Sequence, residues 1–233
     1  MAEAYWDLEW ELQQQGFDYC YDKKLYDRME HRQTGSVYQH LLADADYQEG
    51  MVRFIENHDE PRAAAAFPDG MGRAAAVAIL TLPGAKLLHE GQVEGRKVRL
   101  PVFLGRRPAE PFVQDLAKFY KKLLHETGGD LFRSGEWNLC ERSGWPDNQS
   151  CMNMLAWCWH KDGKRRLVII NFSDAISQAL VKVPWDELRD TMWRLDDRLS
   201  GETFERSGFD MREVGLYVDL GPWNCHLFQL NAV

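Results

Sequence analysis

The sequence predicts an α/β region followed by an all-β region. Up to about residue 127, helix-patterned stretches alternate with short apolar strands, which is typical of a parallel sheet covered by helices. Beyond about Gly128, short apolar segments are separated by polar turns, which favours an antiparallel β-sandwich. The chain has 233 residues, 45% of them hydrophobic, enough to bury a core in one domain or two. We therefore expect one domain over residues 1–130 and a second over 131–233.

The elements of the first region follow from periodicity and from turn residues. Strands are expected where apolar residues alternate or run together, and helices where they recur every three or four positions. Glycine or proline marks the ends, as at Gly16 and at Pro83. In chain order we predict a helix in Ala4–Gln15, a strand at Phe17–Tyr21, two helical pieces in 24–46 broken near Gly35, a strand at Met51–Ile55, a buried helix at Arg73–Leu82, a strand at Ala85–Leu88 and an amphipathic helix over 112–123.

The second region contains short strands joined by turn signals. A tight turn is expected at Lys161–Lys164, where Asp162 and Gly163 suit a hairpin, and another at Gly221–Pro222. The predicted strands are Met154–Trp159, Arg166–Phe172, Ala179–Val183, Val214–Val218 and Cys225–Gln229.

Composition disfavours several classes of function. With 28 basic and 36 acidic residues the net charge is −8, so a nucleic acid would be repelled over most of the surface. No apolar run reaches the roughly 20 residues of a membrane span, and no signal core follows Met1. The five cysteines show no C-x-x-C spacing and are interpreted as reduced thiols. We expect a cytoplasmic protein that binds neither nucleic acid nor membrane; a signal peptide encoded upstream would not be visible here.

The clearest local motif is an apolar strand that ends in polar groups at Asn57, His58 and Asp59. The carboxyl ends of strands in a parallel α/β sheet are where ligands bind. The alternative is a capped turn, in which Asp59 accepts hydrogen bonds from backbone amides before the next helix. The motif by itself leaves both open.

Several segments together resemble the α-amylase family, glycoside hydrolase family 13. They agree with the family in order and spacing and extend over almost the whole chain. The resemblance implies the second half of a TIM-type (β/α)8 barrel followed by a β-sandwich domain. The segments are Ala2–Trp6 with Gly16–Lys23, Phe54–Asp59, Leu87–Gln92, Leu167–Ser173 and Leu199–Glu202.

The resemblance also implies catalytic roles. Glu3 would be the general acid/base and Asp59 the carboxylate that stabilises the transition state, because a glycosidic oxygen needs a proton donor and the oxocarbenium-like sugar needs a negative charge. His58 and Asn57 would contact the sugar. Alone, Glu3 would be interpreted as an ordinary exposed carboxylate.

Three further residues are candidates for substrate binding. Tyr5 and Trp6 could form a wall on which a sugar stacks, or could be ordinary core residues. Glu90 could line the cleft or simply follow a strand. No acidic cluster suggests the calcium that is common in the family, so no cofactor and no metal ligand is assigned.

The nucleophile that a retaining mechanism needs is not found. In the family it lies in a Gly-x-Arg-x-Asp pattern, which does not occur in these residues, and Arg194-Leu195-Asp196 lacks the preceding glycine. We therefore expect part of an enzyme for α-glucans or maltooligosaccharides, inactive by itself. Half a barrel would have open sheet edges, which predicts self-association or pairing with a chain that carries the missing half. The alternatives are a non-catalytic carbohydrate-binding remnant and part of a glucan transglycosylase.

Overall fold

The computed structural model describes residues 1–4, 7–68, 70–101, 103 and 106–233. The chain divides into two compact units. The first contains residues 1–31 and 43–127, and the second contains residues 32–42 and 128–233. Each unit is described by itself.

The first unit contains a small parallel sheet. Its strands, in the order β1–β2–β3, are β1 (Cys20–Tyr21), β2 (Met51–Arg53) and β3 (Ala85–Lys86). Both neighbouring pairs run parallel. Ala2 adds a parallel bridge to Cys20 at the free side of β1. Four segments therefore lie side by side in chain order, and β1, β2 and β3 are each shorter than the sequence predicts.

Helices alternate with these strands along the chain. The predicted buried helix is α6, in which every residue from Ala74 to Thr81 is buried. The amphipathic helix is α7, which buries only Tyr120, Leu123 and Thr127. Their bounds, with those of the other helices in the described residues, are α1 (Glu9–Gln14), α2 (Lys23–Glu30), α3 (Thr34–Leu41), α4 (Ala45–Glu49), α5 (Ala63–Ala66), α6 (Met71–Thr81), α7 (Gln114–Thr127), α8 (Leu131–Ser134) and α9 (Gly208–Asp210).

The stretch 24–46 differs from its prediction of two pieces broken near Gly35. It holds α2, α3 and the start of α4, and the first break falls at residues 31–33, before that glycine. Arg32 adopts a left-handed conformation there, with φ of +56°. α3 belongs to the second unit, where the Thr34 hydroxyl donates to the Phe172 carbonyl at 2.7 Å. The break is thus set by contacts distant in sequence.

A buried guanidinium joins the strands of the first unit. Arg53 on β2 has no exposed surface and pairs with Asp22, which follows β1. Its Nε donates to the Pro83 carbonyl, just before β3, at 3.0 Å. Asp22 also caps α2 by accepting from the Leu25 amide at 3.1 Å. Removal of either partner would leave an uncompensated buried charge, which costs about 3–5 kcal/mol of stability.

The second unit consists of two antiparallel sheets. The strand orders are β10–β9–β12–β7–β6–β4 and β11–β8–β5. Alternate residues from both sheets, such as Val181 and Leu195, contribute to one buried cluster. The bounds are β4 (Glu136–Leu139), β5 (Glu141–Ser143), β6 (Met154–Lys161), β7 (Lys164–Asn171), β8 (Ser177–Lys182), β9 (Met192–Asp197), β10 (Thr203–Ser207), β11 (Leu216–Leu220) and β12 (Cys225–Ala232).

The predicted hairpin turn is confirmed between β6 and β7. Asp162 and Gly163 both have positive φ, +48° and +75°. That backbone matches a two-residue turn whose twist suits antiparallel strands. The predicted strand Val214–Val218 starts two residues later, because residues 211–215 form a helical turn.

No helix among the described residues combines the length and the apolar character needed to cross a membrane.

Candidate functional site

Three of the residues singled out by sequence lie together in the first unit. Glu3, His58 and Asp59 are all exposed, and one ligand-type atom from each lies within 4.8 Å of the other two. Glu3 follows the Ala2 bridge, while His58 and Asp59 follow β2. All three therefore lie beyond the carboxyl ends of parallel strands, the usual place for ligands in such sheets.

The backbone next to Glu3 is held in the sheet. The Ala2 amide donates to the Tyr19 carbonyl at 2.7 Å, and the Tyr21 amide donates to the Ala2 carbonyl at 3.0 Å. Ala2, the residue before Glu3, is therefore buried and hydrogen-bonded through both its amide and its carbonyl.

The loop after β2 assigns its capping to residues other than Asp59. The Asn57 Oδ1 accepts from the amides of Asp59 and Glu60, at 2.9 and 2.8 Å. Glu56 accepts from the Ala63 amide, at the start of α5, at 2.5 Å. The turn is thus capped, as the alternative expects, but the capping acceptors are Asn57 and Glu56 and not Asp59. The half-exposed carboxylate of Asp59 lies 3.3 Å from the His58 Nε2.

A buried carboxylate, Glu56, lies beneath this loop. It is fully buried, 2.9 Å from the Arg62 guanidinium and 3.3 Å from the His89 Nδ1. Burial raises the pKa of Glu56 to about 7, although the Ala63 amide and Arg62 act in the opposite direction. Burial, Arg62 and His58 lower the pKa of His89. The exposed groups of the site thus lie close in sequence to a cluster formed by Glu56, Arg62 and His89.

Tyr21 is a site residue that the sequence reasoning missed. It is 8% exposed, ends β1, and its ring centre lies 5.4 Å from that of Phe54. Burial raises the pKa of Tyr21, and the charges of Glu3 and Asp59 raise it further. The negative charges of both carboxylates therefore disfavour ionisation of the Tyr21 hydroxyl. The available signal was its position at a strand end, the same signal that pointed to Asp59.

Among the other predicted site residues that the structure describes, Glu90 is not part of this group. Glu90 has an exposed side chain paired with Arg107, and its carbonyl accepts from the Arg62 Nη2 at 2.6 Å. Its role in binding stays a prediction. Tyr5 and Trp6 lie outside the described residues.

The same three groups have the chemistry of a metal site as well. Two carboxylates and one imidazole within 4.8 Å form a mixed oxygen and nitrogen set. Such a set suits a transition metal better than calcium, which prefers six to eight oxygen ligands. Exposed carboxyl groups are also well suited to act on a sugar. The choice between a metal site and a sugar site is informed by the comparison with proteins of similar fold.

By fold, the chain is similar to the α-amylases and related glycoside hydrolases. The resemblance to this family is confirmed at the level of the fold. No protein-family model matches the sequence, and neither does any curated protein.

Three solved structures illustrate the similarity. A maltogenic α-amylase from Thermotoga neapolitana superimposes with a TM-score of 0.77 at 18% identity, over 95% of this chain and 52% of that one. An Anoxybacillus α-amylase gives 0.73 at 15% identity, over 98% and 51%. An α-amylase from Geobacillus thermoleovorans, complexed with acarbose, gives 0.70 at 14% identity, over 98% and 52%. The chain spans about half the length of each.

Proposed function

We propose that this chain supplies the acid/base and the transition-state-stabilising carboxylate of an active site for α-glucans. The observation that carries the proposal is the grouping of Glu3, His58 and Asp59 within 4.8 Å at the carboxyl ends of parallel strands. Glu3 would protonate the glycosidic oxygen, Asp59 would stabilise positive charge on the sugar, and His58 would contact it. The choice between hydrolysis and transfer to another sugar depends on the acceptor.

The order of the parallel segments supports this assignment. Ala2, β1, β2 and β3 lie side by side in chain order. On this proposal they are the fifth to eighth strands of a (β/α)8 barrel, and the two antiparallel sheets form the β-sandwich after it. Domains at 1–130 and 131–233 follow, with α3 as the exception that joins the second unit.

The attacking nucleophile is proposed to come from residues other than these 233. A retaining glycosidase places its two reacting carboxyl groups about 5–5.5 Å apart on opposite faces of the sugar. Glu3 follows Ala2 and Asp59 follows β2, two segments of one sheet with β1 between them, so both carboxyl groups approach the sugar from the same side. A sheet whose outer strands, Ala2 and β3, have no further partner in the described residues could pair with the chain that carries the nucleophile.

The first test is an assay of the purified chain on a chromogenic maltooligosaccharide. We expect no release of chromophore, because loss of a catalytic nucleophile costs several orders of magnitude in rate. Turnover that is abolished by both Glu3→Gln and Asp59→Asn would mean that these two carboxyl groups are the complete catalytic pair. The proposal of an external nucleophile would then be wrong.

The alternative of a non-catalytic carbohydrate-binding protein predicts a different pattern. Maltooligosaccharide would still bind, but Glu3→Gln and Asp59→Asn would leave its affinity unchanged. Measuring binding to these two variants by calorimetry therefore separates the two proposals.

A further inference from the structure

A second concave surface lies in the first unit, at the opposite end of the same strands. It is an open hollow of about 470 Å³. Tyr19 and Gly50 belong to its wall and immediately precede β1 and β2, whereas Glu3 and Asp59 follow the sheet segments. The lining residues are Trp10, Gln13, Gln14, Phe17, Asp18, Tyr19, Asp46, Glu49 and Gly50. We call this surface the rear hollow.

Three partly exposed aromatic rings contribute to the rear hollow. Trp10 is 46% exposed, Phe17 41% and Tyr19 40%. The Trp10 ring is held at 6.3 Å from the ring of Tyr47, so it is oriented by α4. Exposed aromatic surface concentrated in one concave place indicates a binding site more often than an isolated exposed ring does. Ring faces of this kind suit the apolar C–H face of a sugar.

The polar groups of the rear hollow narrow the class of ligand. Asp18, Asp46 and Glu49 contribute carboxylates, and none of the lining residues is Lys or Arg. An anionic ligand would be repelled. Carboxylates accept hydrogen bonds, and the amide of Gln14 both donates and accepts, which matches sugar hydroxyl groups.

One amide is already oriented. The Gln13 Nε2 lies 3.3 Å from the Tyr47 carbonyl and 3.3 Å from the Met51 sulfur. Its side chain therefore has a fixed direction before any ligand arrives, which lowers the entropic cost of binding.

We infer that the rear hollow is an accessory binding site for a neutral oligosaccharide, and that the ligand is an α-glucan. The choice of α-glucan rests on the proposed function, while the choice of a neutral polyhydroxylated ligand rests on the rings, carboxylates and amides described here. Because the hollow and the Glu3 group lie at opposite ends of the strands, a glucan bound in one leaves the other open.

The test is a calorimetric titration of the chain with maltoheptaose, repeated on single variants. Trp10→Ala and Phe17→Ala should each weaken the affinity roughly tenfold, because each removes a stacking ring. Phe112→Ala, which removes a 55% exposed ring that does not line the hollow, is the matched control and should bind like the parent chain. Glu3→Gln should leave the component of binding assigned to the hollow unchanged. Circular dichroism checks that each variant is folded.

Other outcomes overturn the inference. If only Glu3→Gln or Asp59→Asn weakens binding, the glucan occupies the Glu3 group alone, and the proposed function stands without the accessory site. If tetramethylammonium binds in a manner that depends on Trp10 and maltoheptaose does not, the carboxylates and rings recognise a cation. Binding to neither ligand also contradicts the inference. The proposed function is tested separately, by the activity assay on the chromogenic maltooligosaccharide.

Discussion

At the residue scale, the buried side chains of the loop after β2 bind backbone amides, whereas its exposed side chains face solvent. Asn57 and Glu56 satisfy the backbone amides of the turn and of α5. The turn is therefore capped by residues other than Asp59, whose exposed carboxylate lies beside His58. Sequence alone identified the exposed residues through the family resemblance. It did not identify Glu56, because its importance depends on burial beside Arg62 and His89.

The raised pKa of Glu56 makes a prediction about stability and pH. A folded-state pKa near 7, against an ordinary value of 4.5, means that the folded protein binds the proton more tightly than the unfolded one does. The stabilising contribution is fully present below about pH 4.5 and is lost as the pH rises through about 7. Relative to Glu56→Gln, the parent chain should lose roughly 3 kcal/mol of unfolding free energy between these limits. Urea unfolding at several pH values measures this, and the opposite slope would show that Arg62 keeps Glu56 ionised.

Asp197 in the second unit is predicted to behave in the opposite way. Burial alone would raise the pKa of Asp197, but hydrogen bonds from His226, the Leu199 amide and the Ser200 hydroxyl together lower it to about 2. The carboxylate is 2% exposed and also accepts from the Leu227 amide at 3.2 Å. Asp197→Asn should therefore cost roughly 2–4 kcal/mol at neutral pH, since it places an amide donor against other donors.

The control for Asp197 is Asp219→Asn. Asp219 lies in the same unit but is exposed, and it accepts from the Gln178 side chain at 3.0 Å. Its replacement should change the unfolding free energy by less than about 1 kcal/mol. The cost of Asp197→Asn should shrink as the pH falls from about 4 towards 2, because the lowered pKa contributes stability only above that window. Equal costs for the two variants would contradict this account.

At the element scale, the hairpin of β6 and β7 shows how a local signal fixes structure. Gly163 has φ of +75° and no atom within 4 Å of where a Cβ would lie. Gly163→Ala should therefore destabilise by about 1 kcal/mol through backbone conformation alone. Gly129→Ala is the matched control, since it is equally open and has no positive φ. It should be neutral or slightly stabilising. Chemical denaturation of both variants is the measurement, and equal effects would mean that the turn is not under this constraint.

The elements predicted well are those whose signals are local. The buried helix α6 and the amphipathic helix α7 have continuous patterns, and the β6–β7 turn has its own residues. The break between α2 and α3 was misplaced because a contact between Thr34 and Phe172, far apart in sequence, determines it. Short strands such as β4 and β5 were not predicted, since three or four residues carry too little periodicity to be recognised.

At the scale of the whole molecule, the outermost segments of the first unit's parallel sheet, in the part of the chain that the structure describes, are Ala2 and β3. The solved structures of similar fold are about twice as long as this chain. Under the proposed function, Glu3 and Asp59 form one wall of a sugar site, and the attacking group comes from residues other than these 233. The resemblance provided this expectation, and the grouping of the three side chains is the structural observation behind it.

The most direct test of this central claim supplies the missing nucleophile from solution. The chain would be incubated with a 4-nitrophenyl α-maltooligosaccharide, with and without sodium azide. Azide can attack the anomeric carbon while nitrophenolate leaves, which gives the β-glycosyl azide. We predict no nitrophenolate release without azide, and azide-dependent release that Asp59→Asn abolishes. Turnover without azide, or no formation of the glycosyl azide, would contradict the account.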